Sequence, residues 1–487
     1  MGVEQLTLGV EAPRSVISAE RISVPLSALV VDPAIYPREE VDHKRIERYA
    51  AVMRDGVAFP LMHIQIDPTD AARYRVLDGA HRLGAYRATG REAVEALLVD
   101  LNGLDPLLYA ASCQTGPKEL REVECRDVAR RAYTANPDLT SAEIAVAVGR
   151  SRDSVDDYIR DLRAAGELAT DLLILRMIRL GIPQERIAAR LDWPQQTVAQ
   201  HLPEMGALPF PVNADLERGF PAAQVAEKYG WPEPLVWALG LDSKTDAERF
   251  DLLRWGLRTW DTWGWADVDA RFGDEWPGRI PAQLVGHALY YFTRPGDLVF
   301  DPMAGGGVVP DVCLALGRRC WAFDLDDRPE TRPEIEPHVW ESGNLIWPVN
   351  GKAKPDLIFF DPPYFDKKDA EYADGSISRL SRADYLQFFA DFCALAREHT
   401  KPSTRLAFLN ADWRDFQGTA ALDEKPQQNI DVVHYAAILE AAGWERTHII
   451  DAPLSSERFS AGVVKQMQGS RILGVVRRTL IVARRRA

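Results

Sequence analysis

The pattern of hydrophobic and polar positions changes character along the chain. The first hundred residues mix short β-rich runs, such as PLMHIQID, with the charged helical stretch HKRIERYAAVMRDG, which is typical of an α+β domain. The middle shows short helical periods separated by tight turns. From Arg279 onward apolar runs alternate with helical segments, which predicts a doubly wound parallel α/β sheet. The pattern therefore predicts a multidomain fold.

The helical middle contains an internal repeat. GIPQERIAARLDWPQQTVAQHL aligns with GFPAAQVAEKYGWPEPLVWALG and more weakly with DLTSAEIAVAVGRSRDSVDDYI. Each unit has an apolar residue and Ala on a first helix, then a turn, then a Val-anchored second helix, as in helix-turn-helix motifs. The aligned second unit offers Gln195, Gln196 and Thr197, whose side chains can bond bases. We expect DNA contacts there, and packing or partner contacts from the almost uncharged third unit.

A short segment after these repeats is rich in tryptophan, with Trp255, Trp260, Trp263, Trp265 and Trp276. Such residues can form a platform for base stacking, or they can fill a seam between domains. The seam is favoured because tryptophans at helical spacing are more often packed than exposed.

Length and composition narrow the class of protein. A chain of 487 residues exceeds the size at which one hydrophobic core keeps growing, so two to four domains are expected. No apolar run approaches bilayer thickness and the N-terminus does not resemble a secretory signal, so we expect a cytoplasmic protein without membrane contact. The five cysteines are scattered, which favours reduced packing residues over a metal site.

The net charge of -14 argues against a protein that coats DNA, so any DNA contact must come from local patches. One candidate is the tail after Ser470, which contains no acidic residue. Its basic residues are Arg471, Arg477, Arg478, Arg484, Arg485 and Arg486. The tail is either a DNA contact or a strand hairpin with solvated charges.

Three segments of the last part of the chain carry candidate chemistry. Asp301 ends a predicted strand and precedes a glycine turn at residues 305–307. Asp324 ends the next strand, where a carboxylate can accept both ribose hydroxyls, and Asn344 sits where an amide could meet an adenine edge. The apolar run DLIFF leads directly into Asp361, Pro362, Pro363 and Tyr364.

The order of these segments resembles the amino-group DNA methyltransferases over roughly the last two-fifths of the chain. The resemblance implies a Rossmann-like domain, S-adenosylmethionine as cofactor and no metal. It departs at Met303, where phenylalanine is usual. The cofactor-binding residues that it implies are Asp301, Pro302, Met303, Ala304, Gly305, Gly307, Asp324, Asn344, Pro281 and Leu284.

In that family the four-residue segment after the fourth strand is catalytic. Asp361 and the Pro362 carbonyl would each accept one hydrogen of an exocyclic amine, which aims its lone pair at the methyl group. Pro363 would keep the loop rigid, Tyr364 would stack on a base flipped out of the duplex, and Phe365 would form the second face. The nearest alternative target is cytosine N4, but that family often carries Ser at this position when cytosine is the target, so Asp361 favours adenine N6.

The N-terminal segment VLDGAHRLGAYRATG carries Gly79, Arg82 and Ala85 in the Gly-x-x-Arg-x-x-Ala spacing of the ParB and sulfiredoxin-like superfamily. The resemblance implies a phosphate or DNA contact at Gly79, His81 and Arg82, and hence a nucleotide ligand. The chain departs from the family at Ala80, so nucleotide hydrolysis is not expected. A structural arginine at a helix start is the competing interpretation.

These interpretations together predict four parts: a ParB-like domain at 1–115, helix-turn-helix repeats at 116–245, a Trp-rich linker at 246–278 and a methyltransferase domain at 279–487. The function expected is site-specific methylation of double-stranded DNA by a prokaryotic or phage-encoded protein, as in restriction-modification. A homodimer would be compatible with it. The alternative from another class is a ParB-like DNA-binding regulator with a non-catalytic methyltransferase fold.

Overall fold

A computed structural model describes residues 4–6, 17–114, 119–265, 268–349, 353–365, 375–414, 420–423, 429–454 and 460–486. The chain divides into two compact units, unit 1 at residues 1–169 and unit 2 at residues 170–487. This division differs from the four predicted parts, because the boundary falls inside the predicted helical middle.

Unit 1 combines a six-stranded mixed sheet with helices, in agreement with the α+β expectation. The strand order is β1-β2-β6-β4-β5-β3. The elements are β1 Glu4–Leu6, β2 Ile17–Pro25, the 3-10 helix Leu26–Ala28, β3 Leu29–Val30, α1 His43–Arg54, β4 Met62–Asp67, β5 Asp70–Asp78, α2 Ala80–Ala88, β6 Ala93–Asp100, α3 Pro106–Ser112, α4 Glu122–Ala135, α5 Ser141–Val148 and the first part of α6 Arg152–Arg179. Alternate residues of β4, Met62 and Ile64, are fully buried, which fixes the face that the sheet turns to its core.

The helix pair α5 and α6 contains the first of the predicted repeats. Thr140 caps α5 through the backbone N–H of Glu143, and Gly149 ends it in the left-handed region at φ +65°. Ile144 and Val155 are fully buried and hold the two helices together. The arginines in the first part of α6 pair with acids of the same helix, Arg152 and Arg163 with Asp156 and Arg160 with Asp157, so part of their charge is already neutralised.

Unit 2 contains the remaining helices and a seven-stranded sheet. Its elements are α7 Gln184–Arg190, α8 Gln195–Ala207, α9 Phe210–Glu217, α10 Ala222–Tyr229, α11 Glu233–Gly240, α12 Asp246–Leu253, α13 Ala282–Phe292, β7 Leu298–Asp301, α14 Val308–Ala315, β8 Arg319–Asp324, β9 Ile335–Pro337, β10 Leu357–Phe360, the 3-10 helix Ile377–Arg379, α15 Arg382–Glu398, β11 Arg405–Ala411, the 3-10 helix Ala421–Asp423, α16 Val432–Ala441, β12 Trp444–Asp451, α17 Ala461–Gly469 and β13 Arg478–Arg485.

The sheet of unit 2 has the strand order β12-β13-β11-β10-β7-β8-β9. Its strands pair in parallel from β9 to β11, whereas β13 is antiparallel to both β11 and β12. The strands β8 and β9 follow β7 toward one edge of the sheet, whereas the strands that follow β10 lie toward the opposite edge. The doubly wound architecture is confirmed, and β7 and β10 flank the switch point where such sheets open a ligand crevice.

The second and third helical repeats share a hydrophobic core with the α/β part of unit 2. Ile187 of the second repeat and Ala238 of the third lie in one buried cluster with Val312 of α14. A buried ion network joins Arg176 to Asp311, and Arg332 donates to the same carboxylate. The third repeat, whose segment WPEPLVWALG is almost uncharged, therefore packs, and the second and third repeats are integral to unit 2.

The tryptophan-rich segment is mainly a packing element of this core. Trp255 and Trp263 are both 3% exposed, and the ring of His287 lies 5.4 Å from that of Trp263. Trp260 is 59% exposed and forms the exception. The buried pair agrees with the interpretation of a seam, here within unit 2.

Candidate active site

A cavity of about 390 Å³ opens at the switch point of the sheet in unit 2. Its walls come from the carboxyl ends of β7, β8, β9 and β10, which meet at one edge because these strands are parallel. The volume is that of a pocket for a small organic ligand. The predicted residues that line it are Asp301, Pro302, Met303, Ala304, Gly305, Asp324, Asp361, Pro362, Pro363 and Tyr364.

Asp301 ends β7 at the floor of the cavity and is 2% exposed. Its Oδ1 accepts the N–H of Met303 at 3.2 Å, while its Oδ2 has no hydrogen-bond partner within the described part of the chain. Burial raises the pKa of Asp301 well above its usual range, and the carboxylates of Asp324 and Asp361 raise it further. A positively charged ligand at this floor would favour the ionised form of Asp301.

Residues 273–280 pack over the glycine turn that follows β7, and we call this segment the strap. Gly305 has φ +50°, and a Cβ there would lie 2.9 Å from Cδ1 of Trp276. A Cβ on Gly306 would meet the Asp274 carbonyl, also at 2.9 Å. Arg328 stacks over the Trp276 ring at 4.3 Å. Because these glycines have no side chain, the strap can pack directly against the turn, and a ligand is not the only group that needs this space.

The ends of β8 and β9 form the opposite wall. Asp324 accepts the N–H of Gly305 at 2.7 Å and that of Asp326 at 3.2 Å, so its carboxylate faces the turn. His338 and Trp340 follow β9 directly and line the cavity. The Trp340 indole donates to the Pro302 carbonyl at 2.8 Å, which fixes this wall to the loop after β7.

The loop after β10 is held by two tyrosines. Tyr364 is 7% exposed and its hydroxyl donates to Asp361 Oδ1 at 3.1 Å. Because prolines have no N–H, Pro362 and Pro363 can be held only through their carbonyls or their rings. The buried Tyr385 hydroxyl donates to the Pro363 carbonyl at 3.0 Å and accepts from Asn410 Nδ2 at 3.3 Å. The Pro362 carbonyl receives no donor from the described residues, so it can accept one from a substrate.

Five predicted site residues lie away from the cavity wall. Asn344 is exposed, and its side chain donates to Glu341. Pro281 and Leu284 are buried at the start of α13, and Gly307 is the N-cap of α14. Phe365 packs against the rings of Tyr385 and Trp413, with centroids at 5.1 and 4.9 Å.

Sequence reasoning missed three groups of residues at this site: the strap with Trp276, the wall after β9 with His338, and Tyr385. Asp301 and Asp324 are the last residues of their strands, and His338 comes directly after one. A position at the end of a strand was therefore the signal that could have identified His338. Nothing in the local sequence marked Tyr385, which reaches the loop from a helix.

Unit 1 contains a second cavity of about 220 Å³, lined by Gly79, His81 and Arg82 among others. Gly79 has φ +107° and begins α2. Arg82 donates to the Pro60 carbonyl at 2.8 Å and pairs with Asp78. The predicted residues are thus together, and Arg82 already serves a structural role there.

Gln195 and Gln196 are exposed on α8 and Thr197 is half-buried. The structure leaves the first two accessible, while α7 of the same repeat is tied to the sheet by Arg186 and Arg190. Within the described ranges, no helix is both long and apolar enough to cross a bilayer. Nor do the described side chains gather three potential metal ligands in one cluster.

No protein-family profile matches the chain, and no curated protein matches it. Among solved structures, the partition protein ParB from Caulobacter crescentus with CTP-gamma-S is 20% identical over 30% of this chain and 79% of its own, with a TM-score of 0.19. A Burkholderia thailandensis N1-methyltransferase with bound S-adenosylhomocysteine is 16% identical over 42% and 76%, with a TM-score of 0.25. TrmN from Thermus thermophilus is 17% identical over 43% and 50%, with a TM-score of 0.26. At these values the assignment depends on the geometry of the chain.

Proposed function

We propose that this chain transfers a methyl group from S-adenosylmethionine to the exocyclic amine of a DNA base, adenine N6 in the first instance. One observation supports this above all others. The Asp361–Tyr364 loop shares a cavity with the Asp301 floor, the glycine turn and Asp324. A cofactor crevice and a pair of amine acceptors therefore open into the same space.

The residues present fit the cofactor. Four aspartates line the cavity, Asp301, Asp324, Asp326 and Asp361, and the buried Asp301 Oδ2 has no partner among the described residues. A sulfonium and an ammonium group are the charges that such a wall would stabilise. Asp324 would accept the ribose hydroxyls, since a carboxylate oxygen can take a further donor besides the N–H that it already binds.

The loop after β10 would orient the acceptor amine. Asp361 would accept one amino hydrogen and the Pro362 carbonyl the other, so the nitrogen lone pair would point at the methyl group. When bound, S-adenosylmethionine supplies that methyl on a sulfonium. In the transfer, the N–C bond would form as the C–S bond breaks, and the electron pair of that bond would leave with S-adenosylhomocysteine. The proton that the amine loses would pass to water along its hydrogen bond to Asp361. No metal enters the proposal.

The acceptor base must leave the duplex to reach a cavity of this depth. Tyr364 is the proposed stacking partner, and its buried ring would have to become accessible to the base. Phe365, as the proposed second face, would have to move off Tyr385 and Trp413. Adenine is proposed over cytosine N4 because the loop begins with Asp361. A regulator without transfer activity is the competing function.

The test is incubation of the full chain with unmethylated genomic DNA and labelled S-adenosylmethionine, followed by nucleoside mass spectrometry. N6-methyladenine is expected from the wild type and none from Asp361→Asn, which keeps the size of the side chain but removes its charge. The same variant should still bind S-adenosylhomocysteine. Full activity in Asp361→Asn would refute the mechanism, and cofactor binding without any transfer would favour the regulator.

The proposal for unit 1 is delivery of the enzyme to DNA, with a nucleotide at Gly79, His81 and Arg82. The support is their shared cavity. A titration with a nucleoside triphosphate, followed by calorimetry, tests it. Binding that disappears in Arg82→Met, while unit 1 stays folded, would support a phosphate contact; no binding by the wild type would leave Arg82 as a structural residue.

A further inference from the structure

Several arginines of the basic tail lie at the two ends of one strand, β13. Arg484 pairs with Glu445 at 2.8 Å and Arg485 donates to the Thr400 carbonyl at 2.8 Å. Arg478 is 5% exposed and donates to the Ala452 carbonyl at 2.9 Å. These arginines belong to the sheet, so the interpretation as a strand holds for this part of the tail.

The segment before the strand, residues 460–477, is built differently. The helix α17 within it has no buried residue, and Val463, Val464 and Leu473 are 42%, 38% and 57% exposed. The segment contains Lys465, Arg471 and Arg477 but no acidic residue. In a chain with a net charge of -14, this is a local cationic surface, which we call the α17 surface.

Strand register places the α17 surface at the edge of the sheet that carries the cavity. Arg478 at the start of β13 lies opposite Ala411 at the end of β11, and Thr479 lies opposite Asp451 at the end of β12. The segment that precedes β13 therefore emerges at the carboxyl ends of the parallel strands. β13 is two strands from β10, a distance of about 10 Å, so a duplex whose base enters the cavity would pass over both.

Arg471 occupies a backbone position that normally favours glycine. It follows the C-cap of α17 at φ +55°, where a side chain costs free energy that glycine avoids. Its carbonyl accepts the N–H of Ala421 at 3.0 Å, which anchors the turn, while its side chain is exposed. Arg477 is less available, because Asp412 and Asp451 lie 3.9 Å from it.

We propose that the α17 surface binds the phosphate backbone of the DNA duplex that carries the target base, through Lys465 and Arg471. Charge complementarity identifies the occupant: Lys465 and Arg471 are exposed on a segment that contains no acidic residue, and such cations bind phosphates by releasing counterions. The proposal rests on the proposed function, and it names the part of unit 2 that holds the substrate duplex beside the cavity.

The experiment measures binding of the full chain to a fluorescent 30-base-pair duplex of mixed sequence at several salt concentrations, in about 50–200 mM salt. The test variant is Lys465→Gln with Arg471→Gly, since glycine also relieves the positive φ. The matched control is Arg484→Gln with Arg486→Gln, which removes the same charge at the opposite end of β13. We expect a roughly ten- to hundredfold loss of affinity for the test variant at low salt, a slope of log K against log salt smaller by about 1.8, and little change for the control.

Unchanged affinity and salt slope in the test variant would overturn the proposal, and so would an equal loss in the control or no binding by the wild type. Calorimetry with S-adenosylhomocysteine should give wild-type affinity for both variants. A selective loss of duplex binding in a protein that transfers no methyl group would keep this surface and reject the proposed function. Tighter binding to a single strand than to a duplex would also overturn it.

Discussion

Removal of one buried hydroxyl should destabilise unit 2 measurably. Tyr385→Phe deletes the donor to the Pro363 carbonyl, at 3.0 Å, and the acceptor for Asn410 Nδ2, at 3.3 Å. Tyr385 is fully buried and Asn410 is 2% exposed, so water cannot replace the lost partners. Each unsatisfied buried group of this kind costs about 1–3 kcal/mol, so we expect a loss of at least about 2 kcal/mol for the two together.

The matched control is Tyr291→Phe. Its hydroxyl also donates to a backbone carbonyl, that of Arg258 at 2.6 Å, but the residue is 40% exposed, so water can take over and a loss within about 0.5 kcal/mol is expected. Urea unfolding followed by tryptophan fluorescence compares the two. Equal stability losses would refute the reasoning from burial. If the proposed function holds, Tyr385→Phe should also lower kcat for methyl transfer with little change in cofactor affinity, since it loosens the acceptor loop and not the cofactor wall.

Three further outcomes follow from the same site. Gly305→Ala should weaken S-adenosylhomocysteine binding and stability, because its new Cβ meets Trp276 at 2.9 Å with φ at +50°, and calorimetry should show partial recovery when Trp276→Ala is added. Asp311→Asn should cost about 3 kcal/mol in urea unfolding, since it removes one of the two buried carboxylates, Asp311 and Glu334, that Arg176 and Arg332 share; a loss below about 1 kcal/mol would mean that the network relaxes freely. Because the pKa of Asp301 is raised in the free protein, a bound sulfonium should favour its ionised form, so affinity for S-adenosylmethionine should rise with pH relative to that for S-adenosylhomocysteine, and Asp301→Asn should abolish the difference.

The sequence predicted the parts of the site that lie at strand ends. Asp301, Asp324 and Asp361 each follow an apolar run, and parallel strands bring their carboxyl ends together, so local pattern and one topological rule suffice to place them. The loop after β10 was predicted for the same reason.

The rest depends on contacts between distant segments. Trp276 reaches the glycine turn from a segment that precedes the first strand of the sheet, and Tyr385 reaches Pro363 from α15. Asn344 was expected near an adenine edge because of its order in the chain, but the wall beside Asp324 is formed by His338 and Trp340, directly after β9. Sequence order alone cannot indicate where a short strand such as β9 ends.

The boundary predicted at residue 279 also depends on contacts between distant segments, which the local sequence does not show. Periodicity separates helical repeats from an α/β pattern, but it does not show which faces they bury. Leu180 and Ala238 pack in one cluster with Val312. The carboxylate of Asp246 on α12 forms an ion pair with the buried Arg318. The sequence pattern changes at residue 279, but one hydrophobic core includes residues from both sides of that position.

The shared core of the repeats and the sheet bears on how this protein can be inherited and recombined. A gene fragment that began at the α/β pattern would encode a sheet stripped of α11 and of the Arg176 charge that balances Asp311, and it would expose the apolar face of α14. Such a fragment could not be exchanged between proteins as an independent cassette. The smallest exchangeable piece of unit 2 must carry its helical repeats with it, so other modules could be exchanged only upstream of those repeats.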